Sequence, residues 1–302
     1  MESIAAVVVT YNRLNDLKKC LTSLQDQTRR LDRIYVINNG STDGTEEWLN
    51  TQYGLNVLTQ PNLGGAGGFA TGIDRAYRDG FDWIWCMDDD CLAAPDALEQ
   101  LMLTPNFGPC AKNSVSVDNT DTEKLAFYVD MPTRSFRNVS DIKQFDVVYG
   151  IASFFNGTLI NSQIVKAIGV PDQKLFIWGD EVEYMTRIQK NGFPIMTVSK
   201  SMFYHPPCVD RDGIPWPGAW KNYYRVRNER RVFQNGHGDK YGFIMFLFWS
   251  LKATFQQLTS VRKNRFYNFL LYGEAALDSM LNNFRKRPDT ILTLRLYRYM
   301  NK

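Results

Sequence analysis

Over roughly the first 90 residues, short apolar runs alternate with stretches of helical periodicity, and this alternation restricts the possible folds more than any other feature. Ile4–Thr10 (IAAVVVT) is the kind of run that lies in a buried strand, and Leu14, Leu17, Leu21 and Leu24 then recur at helical spacing. Arg33–Asn38 (RIYVIN) reads as a second strand, Thr45–Asn50 as a short helix and Leu55–Thr59 as a third strand. PNLGGAGG then opens a helix expected over Phe69–Asp79, and Trp83–Met87 reads as a fourth strand. Strands alternating with helices imply a mostly parallel α/β sheet. In such sheets ligands sit at the carboxyl ends of the strands.

The pattern weakens from Thr104 to Tyr149 into polar, turn-rich sequence, expected to be an irregular excursion. Ala152–Ile160 is strand-like and Ser162–Ile168 helical; LFIW reads as a strand edge feeding a helix that ends at Gly192, and Met196–Tyr204 as a strand leading to His205. Beyond Pro217 the chain is aromatic and basic with helical spacing. A domain change is expected near Arg211–Pro217, dividing the chain into a sheet domain over 1–215 and a helical region over 216–302.

A chain of 302 residues can bury a large core. Its net charge of +3 is too mild to imply a nucleic-acid partner, and none is expected. Cys20, Cys86, Cys91, Cys110 and Cys208 form no CxxC pair and are expected to be reduced thiols rather than a disulfide or zinc framework. No cleaved signal is expected at the N-terminus, and the longest apolar run, Phe243–Trp249, is far short of the roughly 20 residues that span a bilayer.

Three acids, Asp88, Asp89 and Asp90, close the fourth strand. Carboxylates crowded where a buried strand meets solvent suit a hard divalent ion, Mg²⁺ or Mn²⁺, with Asp88 and Asp90 as the metal pair; a solvated acidic turn is the plainer alternative. NGSTDGT (39–45) offers amides, hydroxyls and Asp43 to a nucleoside, or equally the caps of a helix. Gly64, Gly65, Gly67 and Gly68 clear side chains from a helix start, where phosphates or a sugar could approach the backbone, but no GxxxxGK[ST] phosphate loop is present. Asp180, Glu181 and Glu183 follow Phe176 and Trp178 at a helix start, where acids pair with the dipole and a carboxylate against an aromatic wall is also a candidate general base. His205 precedes a rigid Pro-Pro turn and is either a metal ligand or structural.

The order VVVTYNR, NNGSTDGT, MDDD, WGDEVEY and then His205 resembles the inverting, nucleotide-sugar-dependent glycosyltransferases of family 2, over roughly residues 3–210. NLGGAGGF, WGDEVEY and YYRVRN (223–228) are most similar to bacterial galactofuranosyltransferases, with rhamnosyltransferases next. The resemblance implies a GT-A fold, a Rossmann-like and mostly parallel sheet, with a C-terminal helical extension. It assigns Thr10, Asn12, Asn38, Asn39 and Asp43 to the nucleotide, places the glycines and Asp89 on the donor side, and makes Asp88, Asp90 and His205 ligands of Mn²⁺ or Mg²⁺. Glu181 matches the catalytic base, with Asp180 the alternative, and Trp178 could stack on the acceptor sugar. Asn38 and Asn39 stand where many family members carry an acid, so the contact to the base is expected to be an amide hydrogen bond; uridine is preferred.

The implied reaction moves galactofuranose from UDP-galactofuranose to a glycan or polyprenyl-linked glycan in cell-surface polysaccharide synthesis, at the cytoplasmic face of the plasma membrane. A dTDP-rhamnose-dependent transferase and a non-catalytic nucleotide-sugar or lipid-head-group binder are the alternatives. A nucleotidyltransferase would need a basic, glycine-rich N-terminal loop, which VVVTYNRL lacks. Aromatics over 243–251 near Lys252, Arg262, Lys263 and Arg265, with Arg285, Lys286 and Arg287 beyond, suit either an anionic membrane surface or a homo-oligomer interface.

Overall fold

The computed structural model describes residues 2–130, 135–207, 220–259 and 265–292. The boundary expected at 211–217, Cys208, and the cations Arg262 and Lys263 lie outside them. By their contacts the residues form two units, one comprising residues up to Pro171 together with Arg187–Cys208, the other Asp172–Thr186 together with the chain from Val209 onward.

In the first unit β1 (Ile4–Thr10), α1 (Leu14–Gln25), β2 (Arg33–Asn38), α2 (Thr45–Leu49), β3 (Leu55–Thr59), α3 (Gly64–Arg78) and β4 (Trp83–Asp88) follow the alternation expected from sequence. β5 (Leu92–Ala93), α4 (Ala97–Leu103), β6 (Ala111–Asp118), β7 (Lys124–Asp130), β8 (Ser135–Asn138), α5 (Val139–Lys143), β9 (Val147–Tyr149), β10 (Asn156–Asn161) and α6 (Ser162–Ile168) come next. α7 (Asp180–Lys190) begins in the second unit and ends in the first, where β11 (Ile195–His205) completes the sheet. The strand order is β3-β2-β1-β4-β10-β6-β11-β5, with β7 and β8 continuing from β6 and β9 paired to β11. β3, β2, β1 and β4 are mutually parallel and β6 is parallel to β11, while β10 runs antiparallel between β4 and β6. The α/β class with a mostly parallel central sheet is therefore present.

α1 buries Leu17, Cys20, Leu21 and Leu24, the leucine stripe and its neighbour, against Val8, Trp85 and Met87 in one apolar core. α3 starts five residues earlier than the sequence suggested, because its glycines are helical. A Cβ on Gly68 would lie 2.4 Å from Val9 Cγ1, and one on Gly72 would lie 2.3 Å from Val7 Cγ1. The glycine run thus lets a helix lie directly on β1.

The segment from Thr104 to Tyr149 is not irregular. β6 is buried along its whole length in the middle of the sheet. Its polar residues concealed it: Lys112 donates to Leu101 O (2.9 Å) and Thr104 O (2.6 Å), Asn113 Oδ1 accepts from Thr158, and Ser114 meets Ser201 at 2.8 Å. These buried polar groups find partners, the Ser116 hydroxyl being the exception, so the strand can be interior without alternating apolar residues.

In the second unit α8 (Trp220–His237), α9 (Asp239–Thr259), α10 (Arg265–Met280) and α11 (Pro288–Leu292) follow one another. Their core holds Tyr223, Tyr224, Val226, Phe246, Tyr267, Leu271 and Ala275, and Phe176 packs into it. LFIW, expected as a strand edge, is instead a 3₁₀ turn over Gln173–Leu175 followed by a tight bend. Among the described residues no helix is long and apolar enough to cross a membrane.

Candidate functional site

At the carboxyl edge of the first unit's sheet, β1 and β4 end side by side, with Val9 opposite Asp88. The chain then turns through Asp89 and Asp90 into β5, whose Leu92 and Ala93 pair with Tyr204 and Phe203 of β11. This short pairing carries His205, at the end of β11, back to the acids more than 100 residues before it in sequence.

Asp89 points inward. It accepts from Thr10 Oγ1 at 2.7 Å and from the Tyr11 amide at 3.3 Å, fixing the loop after β1 to the end of β4. Burial raises its carboxyl to a pKa of about 6, against the opposing pull of Arg13 and Thr10. Asp90 has two different surroundings. Its Oδ2 is ion-paired with Arg13 Nη1, and its Oδ1, buried and accepting no hydrogen bond, faces His205 Nε2 at 3.4 Å. Burial disfavours charge on both residues, but their attraction prevails, holding Asp90 below and His205 above their ordinary values.

His205 Nδ1 lies 2.5 Å from Pro206 O. A carbonyl only accepts, so Nδ1 carries the proton and, in the neutral ring, Nε2 presents its lone pair toward Asp90. A buried carboxylate oxygen without a donor beside an aimed imidazole nitrogen fits a divalent cation. The donor atoms of Asp90, Cys91 and His205 lie within 4.8 Å of one another. Burial drives the Cys91 thiol well above its usual range, so it stays protonated and does not suit a hard ion. Asp88, at the tip of β4, is half-buried and stands outside that group of three.

The residues assigned to the nucleotide also hold the loops to one another. Asn12, in the left-handed region at φ 54°, accepts from the Thr42 amide at 2.6 Å, and its own amide donates to Ser41 Oγ at 3.0 Å. Asp43 accepts from the Leu14 amide and from Thr45, and these bonds, against the effect of burial, keep its carboxyl below its ordinary value. Asn38 Oδ1 accepts from the Ser41 amide, while Asn39 donates to Gly64 O and accepts from Gln60. Thr10, Asn38 and Asn39 are buried. They rigidify the loops at this edge, whereas Asn12 and Asp43 lie nearer its surface. Gly64 takes φ +71° at the start of α3, and Gly67 and Gly68, in its first turns, are buried.

In the second unit, a strained bend delivers the other acids. Phe176 and Trp178 adopt φ values of 67° and 60°, unusual for bulky residues, before Gly179 at 88°. Asn228 holds this bend at three carbonyls: its Nδ2 donates to Leu175 O (2.9 Å), Ile177 O (3.1 Å) and Trp178 O (2.6 Å). Its neighbour Arg227, fully buried among Tyr223, Tyr224 and Phe284, donates to Lys174 O and Leu175 O. α7 then starts with Asp180, which is buried, and Glu181, which is half-exposed and accepts from the Gly179 amide at 3.1 Å. Glu183 is buried and accepts from Asn235. Residue type alone points to no role for Arg13, Arg227 or Asn228; their signal in the sequence is their place in the motifs VVVTYNR and YYRVRN.

The chain matches the glycosyl transferase family 2 model over residues 5–153. It is 36% identical over 242 residues to the galactofuranosyltransferase GlfT1 of Mycolicibacterium smegmatis, covering 77% of this chain and 80% of that one. The chain is a family 2 glycosyltransferase. Among solved structures, this transferase resembles residues 1–349 of S. aureus TarS in complex with UDP, at a TM-score of 0.56 and 12% identity over 98% of this chain and 91% of that one. It also resembles GalNAc-T7 with UDP, GalNAc and Mn²⁺, at a TM-score of 0.58 and 14% identity over 90% of this chain and 55% of that one. The GT-A architecture expected from the motifs is thus the fold of this transferase, with the helices α8–α11 following it.

Proposed function

We propose that this transferase moves galactofuranose from UDP-galactofuranose to a hydroxyl of a glycan or polyprenyl-linked glycan, with inversion, in cell-surface polysaccharide synthesis at the inner face of the plasma membrane. The carrying observation is the extent of its similarity to GlfT1, together with an acid and histidine pair at the sheet edge where a donor diphosphate would be held. The likeness to proteins crystallised with UDP and Mn²⁺ supports the choice of a uridine nucleotide and a divalent ion.

In this reading Asp88, Asp90 and His205 hold Mn²⁺ or Mg²⁺, which supplies positive charge to the diphosphate leaving group. Arg13, paired with Asp90, adds a second cation on the donor side. Asn12, Asp43 and the backbone around Gly64 and Gly65 contact the nucleotide, while Thr10, Asn38, Asn39 and Asp89 keep those loops in place. Glu181 takes the proton of the acceptor hydroxyl as its oxygen forms the new bond to the anomeric carbon and the carbon–oxygen bond to the diphosphate breaks. Of the two candidate bases, half-exposed Glu181 is open to an acceptor and Asp180 is buried. Trp178, held by Asn228 at its carbonyl, offers its ring to the acceptor sugar.

The test is a thermal-shift panel of UDP, dTDP and GDP with Mn²⁺ or Mg²⁺, followed by turnover with UDP-galactofuranose, UDP-galactose, UDP-glucose and dTDP-rhamnose. Stabilisation by UDP and transfer from UDP-galactofuranose are expected. Preference for dTDP and dTDP-rhamnose would replace this donor, and binding without transfer to any acceptor would make the protein a binder.

A further inference from the structure

α9 is apolar on the side that faces away from its own unit. Gly242, Phe246, Ser250 and Thr254 form its buried face, so three of its four inward residues are small. On the outside stand Tyr241, Ile244, Phe248, Leu251 and Phe255, exposed by 61%, 41%, 73%, 57% and 58%. Their spacing of three and four residues places them in one continuous stripe along the helix. At its end Phe255 meets Phe269 of α10 (5.7 Å between centroids), and Phe269 stacks near Phe266, itself 54% exposed. An outer face richer in large apolar side chains than the inner one is what a helix shows when something other than water covers it.

The charge distribution identifies the cover. From Lys240 to Gly273 the sequence contains five cations and no acid. Lys252, beside Leu251, and Arg265, beside Phe266, are exposed and make no ion pair among the described residues. A second copy of this face would bring like charges together, whereas an anionic surface pairs with them. The other basic group, at 285–287, is largely committed within the fold: Lys286 is ion-paired with Glu274 and Asp278, and Arg287 lies over the Phe176 ring at 4.9 Å. Of the cations expected near lipid, Lys286 and Arg287 are thus engaged within the fold, which leaves the outer face of α9 and the start of α10.

We propose that the stripe Tyr241, Ile244, Phe248, Leu251 and Phe255, flanked by Lys252 and Arg265, docks the protein on an anionic lipid bilayer. The aromatic and aliphatic side chains enter the boundary between headgroups and acyl chains, and the cations meet lipid phosphates. This gives a surface to the membrane location included in the proposed function. It depends neither on the donor sugar nor on Glu181, so vesicle binding and turnover fail or succeed separately.

The experiment is co-sedimentation of the full chain with vesicles of phosphatidylcholine alone or with 30% phosphatidylglycerol, at low and high salt. Two variants are compared, F248S/L251S and K252Q/R265Q, each verified by its melting curve. Expected are binding to the anionic vesicles only, a loss of at least 10-fold in F248S/L251S, and a loss of roughly 5-fold per charge removed in K252Q/R265Q with a weaker salt dependence. No binding to anionic vesicles at low salt overturns the proposal. So does unchanged binding in both variants, or light scattering showing a dimer that F248S/L251S dissolves in a protein that ignores vesicles. Because the altered side chains are exposed, both variants should fold; if F248S/L251S does not, K252Q/R265Q still decides.

Discussion

In the proposed site Asp90 has two tasks, to balance Arg13 and to hold a cation with His205, and its two oxygens are divided between those directions. Asp90→Ala is therefore expected to abolish metal-stimulated turnover and the stabilisation by UDP with Mn²⁺, measured as a melting-temperature shift, whereas His205→Ala weakens metal affinity while some turnover survives at high metal concentration. Full activity of Asp90→Ala would remove this site from the reaction. Glu181→Gln should retain UDP binding and lose transfer by about two to four orders of magnitude, the scale of a positioned general base. If Asp180→Asn separates binding from chemistry and Glu181→Gln does not, the base is Asp180. Asn228 touches neither substrate in this scheme, yet it alone donates to three carbonyls of the bend before α7. Asn228→Ala should lower kcat with the UDP dissociation constant unchanged, since it releases Phe176 and Trp178 from a strained backbone. Equal losses in binding and kcat would mean a general loss of folding.

Motifs make these acids visible in the sequence, but elements are legible there only where periodicity is strong. The strands β1–β4 and the leucine stripe of α1 carry their burial in their composition, and they lie where the alternation placed them. β6 does not. Its interior position is upheld by paired polar groups that resemble loop sequence, because the partners, Leu101, Thr104, Thr158 and Ser201, are distant in the chain or on other elements. The start of α3 at Gly64, five residues before the expected Phe69, is hidden for a related reason. The missing side chains of Gly68 and Gly72 make room for Val9 and Val7, a contact that exists only because α3, crossing from β3 to β4, lies over β1. Lys112 offers a test of this buried polar strand. Burial lowers its pKa below 10.5, so between the folded value and 10.5 the unfolded chain binds the extra proton and stability rises with pH. Denaturant unfolding from pH 8 to 10.5 should therefore show the wild type gaining on Lys112→Met as pH increases. A constant difference between the two would mean that the amine is not held as described.

Among the described residues of the whole molecule, the first unit has apolar clusters beneath the parallel sheet and around β6, β7, β8 and α5, and the second has its own among α8, α9, α10 and α11. A ligand that binds only the folded state stabilises what it touches by mass action, by about 2.7 kcal/mol at 100 times its dissociation constant. For a unit of this size that corresponds to roughly 5–10 °C in melting temperature. The contacts proposed for UDP come from the loops after β1, β2 and β4, all in the first unit. Hydrogen exchange with UDP and Mn²⁺ should accordingly slow in peptides covering Thr10–Arg13, Asn38–Thr45 and Asp88–Cys91. Those loops are already joined through Asn12, Ser41, Asp43 and Asp89, so the protection should appear in all three together. EDTA should remove most of the effect, because the diphosphate then loses the charge that Asp90 and His205 hold in place. Peptides from the outer face of α9 should not respond to nucleotide at all. Protection confined to the second unit, or undiminished by EDTA, would place the nucleotide elsewhere.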